Sequence, residues 1–183
     1  MQQEQGHRAQ IGEHLSEAKA KDKEVRALFP DNVYVQRLLR KAKSLGVFFL
    51  GSRVEEQWLY HPDYRTLCVW LPDLQDGSLS YLVVMLAHEL GHVVDFDAKP
   101  HYFDAIDGVP WFRVPPEIEL SAFVSGFAII QELGIPVTLY QYCQMIEGPM
   151  AQLVAQVATG NWGLADALGF LGQEPLIASD QAS

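Results

Sequence analysis

The sequence has few cysteines: only Cys68 and Cys143 in 183 residues, far apart and inside apolar segments. That argues against a disulfide-stapled scaffold and points to buried thiols in a reducing, cytoplasmic setting. Long apolar runs are missing too. None approaches the roughly 20 residues that span a bilayer, so no membrane association is expected. The opening stretch MQQEQGHRAQIGEHLSEAKAKDKEV has no apolar centre and does not read as a secretory signal. Internal repeats and low-complexity segments are absent. Basic residues become scarce after Arg65, with only Lys99 and Arg113 beyond it. Up to Arg65 there are 11 basic against 9 acidic residues; beyond it there are 2 against 14. The basic stretch Lys19–Lys43 is a candidate surface for a protein partner. Interleaved acids and few aromatics make nucleic acid a poor fit there.

What is present is enough apolar material, 49% of residues, for one domain with a real core. Residues 1–30 read as a charged helical or flexible arm ended by Phe29-Pro30. Asp31 or Asn32 can cap a helix over VYVQRLLRKAKSLG, with Gly46 ending it. VFFL predicts a strand. QWLYHPDYRTLCVW predicts a hairpin turning at His61-Pro62-Asp63. A loop from Pro72 to Gly77 precedes a helix capped by Ser78 or Ser80 and running to about Asp95. Residues 96–116 hold Pro100, Gly108, Pro110, Pro115 and Pro116 and read as a long loop of the kind that often carries function. Pro116 suits the first turn of a helix over EIELSAFVSGFAIIQEL. Shorter helices continue to about residue 172, and 173–183 reads as a loose tail. The fold class is α+β: a small sheet packed on two central helices, with further helices before and after.

The chemistry concentrates in MLAHELGHVVD. Placing His88, Glu89, His92 and Asp95 in an apolar run costs several kcal/mol, roughly 2–7 for each neutral polar group left without a partner. A metal ion would offset it. On a helix His88 and His92 are one turn apart on one face, so both imidazoles can reach one ion at Zn–N distances of about 2.0–2.1 Å. Glu89 is offset by about 100° from His88, beside the ion rather than on it, where it can act as general base toward water. His-Glu-x-x-His on a helix is a zinc peptidase pattern. Such a site takes three protein ligands and keeps an open position. The spacing His-x-x-Gly-x-x-His is absent, since position 98 is Ala98. The third ligand is therefore sought in PPEIELSAF. Glu117 is favoured because it shares a helix face with Ser121 and Ser125, small enough to let the helix approach the ion. Glu119, on the face of Phe123 and Gly126, is the alternative. Asp95, Asp104 and Asp107 are further acidic candidates.

HELGHVVD, with E-x-E-x-x-A-F about 25 residues later, resembles the gluzincin metallopeptidases. It is most similar to the small intracellular ImmA/IrrE-like group, with the anthrax lethal factor type as a second resemblance. The likeness covers residues 47 to about 132. The group's helix begins E-x-E-A-N-x-F-A, so Glu117 falls on the ligand glutamate, Ser121 on a polar residue and Phe123 on the aromatic. Leu120-Ser121 replaces Ala-Asn. The resemblance implies a minimal zincin-like domain over residues 31–172, a Zn2+ cofactor and hydrolysis of peptide or protein substrates. In that setting His101 and Tyr102, in the loop between the ligand helices, are candidates to hydrogen-bond an oxyanion. The sheet edge near the zinc would hold an extended peptide by strand addition. A zinc-containing regulatory or binding module with little turnover is the other reading.

Overall fold

The computed structural model describes residue 16 and residues 18–54, 58–106 and 113–171. The expected tail over 173–183, the first part of the expected arm, with His7 and His14, and Asp107 lie outside the described residues. The rest is mixed α and β, with a small three-stranded sheet and helices on both sides of it in sequence.

Helix α1 spans 18–26. It does not stand off as an arm. Val25 and Phe29 are 6% and 5% exposed and belong to the main core. Arg26 donates to the carbonyls of Leu39 (2.9 Å) and Val47 (2.8 Å) and pairs with Asp22 at 2.8 Å. Asn32 caps helix α2, Val33–Ser44, its side chain accepting from the N–H groups of Tyr34 and Val35. Val35, Leu38, Leu39 and Ala42 form its buried face, whereas Val33 at its first position is exposed. Gly46, with φ of 72°, turns the chain into the sheet.

The strands are β1 (Phe48–Ser52), β2 (Leu59–His61) and β3 (Thr66–Trp70). β3 is central, parallel to β1 and antiparallel to β2. A 3-10 turn at Pro62–Tyr64, closed by Arg65 with φ of 47°, makes the expected hairpin. The outer edge of β1 is occupied, since the N–H of Phe49 donates to Asp22 of α1 at 2.8 Å.

The loop expected from Pro72 to Gly77 is instead helix α3, Leu71–Asp76. Proline is tolerated in a first turn, where its missing N–H has no intrahelical partner. Ser78 caps helix α4, Leu79–Ala98, whose 20 residues run three past the expected end. Asp73 of α3 accepts from Trp58 Nε1 (2.7 Å) and from the Tyr81 hydroxyl (2.9 Å), tying the start of β2 to the first turn of α4. By length and composition α4 passes for a membrane span, yet 67% of its apolar window is buried inside the protein. Within the stretch expected to be an irregular loop, residues His101–Ile106 form a short helix, α5. Helix α6 is Pro116–Glu132, with Pro116 in its first turn as expected. Thr138 and Gln141 make a capping box for α7, Leu139–Cys143. Helices α8 (Met150–Ala158) and α9 (Leu164–Leu171) complete the described chain.

Among the described elements, the packing of α4 on α6 is the most extensive. It is backbone against backbone. A Cβ added to Gly91 would lie 2.0 Å from the carbonyl oxygen of Ala122, and one added to Gly126 would lie 2.7 Å from that of Ala87. Neither clash can be relieved by a side-chain rotation, so the helices must separate. Gly91→Ala is therefore expected to destabilise the protein by about 3 kcal/mol or more, the upper range for overpacking. Gly169→Ala, where an added Cβ meets nothing within 4 Å, is the control. It should raise stability by about 0.5–1 kcal/mol through helix propensity. Urea unfolding midpoints check both, and a neutral Gly91→Ala would show that the two helices are not held at backbone contact.

Candidate metal centre

Helix α4 buries four polar side chains on one stretch: His88, Glu89, His92 and Asp95 are 5%, 3%, 9% and 3% exposed. The close contact at Gly91 and Gly126 brings α6 to the same place. Glu119 lies with one carboxylate oxygen 3.3 Å from His88 Nε2 and the other 3.7 Å from His92 Nε2. The donor atoms of these three residues lie within 4.8 Å of one another. Ligand bonds of about 2.0–2.1 Å in a tetrahedral arrangement put neighbouring donors about 3.3 Å apart. The donor set and its spacing therefore fit a single metal ion held by two imidazole nitrogens and one carboxylate.

The imidazole planes are fixed by packing. Phe123 stacks on His88, ring centroids 3.8 Å apart and planes 24° from parallel, and Phe96 lies 6.2 Å from His92. Burial, with His88 beside it and Glu119 opposing, pushes His92 down to about 3, so its lone pair is available at any ordinary pH. Burial alone would raise the Glu119 carboxyl, but the hydrogen bond to His88 and the two imidazoles hold it below its usual value. Glu89 moves the other way. Burial pushes it up to about 7, helped by Glu119 and opposed by His88 and by the backbone N–H of Tyr60. Glu89 Oε2, Asp95 Oδ2 and the Nδ1 atoms of both histidines are buried with no hydrogen-bond partner among the described residues.

The structure brings Glu119, and not the favoured Glu117, to the histidines. The cause is the rotation of α6. Its closest approach to α4 is made by Ala122 and Gly126, not by Ser121 and Ser125. The neighbouring stripe that carries Glu119 and Phe123 then faces the imidazoles. Glu117 shares its stripe with Ser121 and Ser125, which face a separate polar cluster. There Glu117 accepts from the Tyr102 hydroxyl at 3.1 Å. Ser125 donates to Asp95 at 2.9 Å, and Lys99 bonds Ser121 and lies 3.5 Å from Asp95. Asp95 is thus engaged behind the donor set. Tyr102, buried, is tied to Glu117, and His101 is exposed with its ring against Tyr102 at 4.8 Å. Neither of them lines the cavity over the histidines.

That cavity has a volume of about 350 Å³. His88, Glu89, His92 and Glu119 form its polar part, Trp58, Leu59 and Tyr60 one wall, and Met85, Phe96, Val114 and Ile118 apolar surface elsewhere. Trp58 belongs to the core, 8% exposed, and also presents a face to this wall. Its indole N–H is committed to Asp73.

Comparison with family models, with curated proteins and with solved structures returns no match. The site is thus defined by its own geometry, a buried two-histidine, one-glutamate group suited to a metal ion.

Glu119→Gln is expected to weaken metal binding about 100-fold or more, because a neutral amide replaces an anionic ligand. Glu117→Gln should change it by less than about tenfold, the lower end of effects from outside the ligand shell. Metal retained after dialysis against a graded chelator, measured by elemental analysis, separates the two. The reverse order would mean that α6 is turned, at about 100° per residue, away from the register in which Glu119 meets the histidines.

Proposed function

We propose that the protein is a zinc-dependent peptidase of the gluzincin type, akin to the ImmA/IrrE-like group, that hydrolyses peptide bonds. One observation carries this reading. A carboxylate, Glu89, is buried next to a His-His-Glu donor set without belonging to it, at a cavity bordered by an edge strand of the sheet. Two imidazoles and a carboxylate with tetrahedral spacing suit zinc. When bound, zinc would supply Lewis acidity, polarising a carbonyl oxygen and acidifying a water.

The protein's own groups do the rest. Burial raises Glu89 to about 7, so it exchanges a proton readily near neutral pH. Its Oε2, which has no partner among the described residues, is the atom to take a proton from the attacking water and pass it to the departing amine. Trp58, Met85, Phe96 and Ile118 exclude bulk water, which strengthens every charge interaction in the cavity. β2 pairs only with β3 among the described strands, and its other edge, where the Tyr60 N–H is held by Glu89, can offer its carbonyls to an extended peptide. His101 and Tyr102 are given no part in this scheme because they lie outside the cavity lining. The unpaired Cys68 and Cys143 support a cytoplasmic setting.

Glu89→Gln is expected to keep its metal and its fold while losing peptide hydrolysis by about 10⁴-fold, the upper end for general acid–base groups. Turnover of a peptide library by both proteins, each with its zinc content measured, checks it. A regulatory or binding module would show zinc in both and turnover in neither. Equal turnover by two fully loaded proteins would remove Glu89 from the chemistry.

A further inference from the structure

A second cavity of about 390 Å³ adjoins the first, sharing Tyr60 and Phe96 as common walls. Its other apolar surfaces are Pro62, Pro100 and Phe103. Its polar members are Asp63, Arg65, Asp97 and Asp104. The two cavities run along the same elements. The first takes Trp58–Tyr60 and the second Tyr60–Asp63, while α4 carries His92 to the first and Phe96 and Asp97 to the second. Phe96 lies about 6 Å beyond His92 along the helix axis at 1.5 Å per residue. An extended peptide advances about 3.3 Å per residue, so a chain lying along β2 reaches the second cavity about two or three residues from the donor set.

The charges select what fills it. Arg65 is committed: it grips Asp97 with two hydrogen bonds, at 2.8 and 3.0 Å, and donates to the carbonyl of Leu45 at 2.6 Å. Asp97 is thereby neutralised, and its carboxyl is held below the usual range by that hydrogen bond to Arg65. Asp63 and Asp104 remain as two exposed carboxylates at the rim, one on each side, from the 3-10 turn and from α5. Aromatic and proline walls with two carboxylates at the mouth match a long aliphatic stem ending in a cation. An acidic side chain would meet the two carboxylates and find the guanidinium already occupied. A short or purely apolar one would leave the rim charges without a counter-ion.

We propose that this second cavity is a specificity subsite that takes a lysine or arginine side chain of the peptide substrate, about two or three residues from the bond to be cleaved. The inference rests on the peptidase reading, so its test uses binding as well as turnover. Full-length Glu89→Gln, loaded with zinc, is titrated with fluorescein-labelled peptides in which one position at a time is lysine, norleucine or glutamate. Anisotropy gives each Kd. At one position lysine should bind about fivefold more tightly than norleucine, and glutamate more weakly than either, a range that exposed charge pairs supply. The lysine advantage should shrink at high salt and fall to within about twofold in Asp63→Asn/Asp104→Asn. Equal affinities for lysine and norleucine at every position overturn the subsite, as does a lysine preference that survives the double substitution, or no peptide binding at all. Turnover of the same peptides by the wild-type chain keeps the two readings apart. Cleavage indifferent to lysine leaves the peptidase and removes the subsite. Lysine-selective binding without cleavage retains the subsite and removes the peptidase.

Discussion

The backbone contact between α4 and α6 is the constraint on which the site depends. A set of metal donors tolerates errors of only about 0.2 Å in bond length. Two helices kept apart by ordinary side chains are about 8–10 Å between axes. Gly91 against Ala122 and Gly126 against Ala87 remove that cushion. Glu119 then reaches both imidazoles with a side chain of fixed length, and Phe123 meets the face of His88. Helix spacing and ligand spacing are thus one geometric fact. Glu89 points instead toward the sheet, where it accepts from the backbone N–H of Tyr60 and lies near Cys68, and its burial there raises its proton affinity. The four polar atoms on α4 without partners among the described residues mark where that geometry has its cost, since each unmade buried hydrogen bond costs about 1–3 kcal/mol.

The sheet is small, and its two edges are treated differently. β1 is closed by α1, whose Asp22 takes the N–H of Phe49. Exposed edges invite uncontrolled pairing, and closing one is a common defence. β2 runs beside the cavity and is anchored at its start through Trp58 to Asp73, which also holds Tyr81 of α4. Among the described strands, β2 is therefore the edge strand fixed to the helix carrying His88 and His92.

Much of this is legible in the sequence because it is local. Of the capping candidates, Asn32 rather than Asp31 and Ser78 rather than Ser80 mark the helix starts by their side-chain acceptors. The i, i+4 pair of His88 and His92 comes from helical periodicity alone. The choice between Glu117 and Glu119 is not local. Each sits one helical turn from a plausible neighbour, and the rotation of α6 is decided where Gly91 meets Ala122 and Gly126 meets Ala87, between two helices rather than within either one. By size alone Ser121 and Ser125 make a credible approach surface, but Ala122 and Gly126 are smaller still and lie on the adjacent stripe. The helices α3 and α5 are hidden for another reason. Each begins beside a proline, at Pro72 and Pro100, and proline is compatible both with a loop and with a helix's first turn.

The charge asymmetry of the chain has a structural use that its composition does not reveal. In the basic first third, Arg26 donates to the carbonyls of Leu39 and Val47, and Arg37 to those of Leu133 and Gly134 at the end of α6. Arg65 reaches the carbonyl of Leu45 at the end of α2, and Lys41 pairs with Glu132 at 2.8 Å. Helix ends carry unsatisfied carbonyls and partial negative charge, which guanidinium groups satisfy in both respects. These cations are therefore spent on holding α1, α2 and α6 together and on closing the β2–β3 turn. Lys19, Lys21, Lys23, Arg40 and Lys43 of the same stretch are exposed, unlike Arg26, Arg37 and Lys41. Their inward use leaves most acidic residues beyond Arg65 without these partners. Asp97, gripped by Arg65, and Glu132, paired with Lys41, are exceptions, while Asp63 and Asp104 border the second cavity with no share in either pair. The negative character beyond Arg65 follows from its 2 basic against 14 acidic residues.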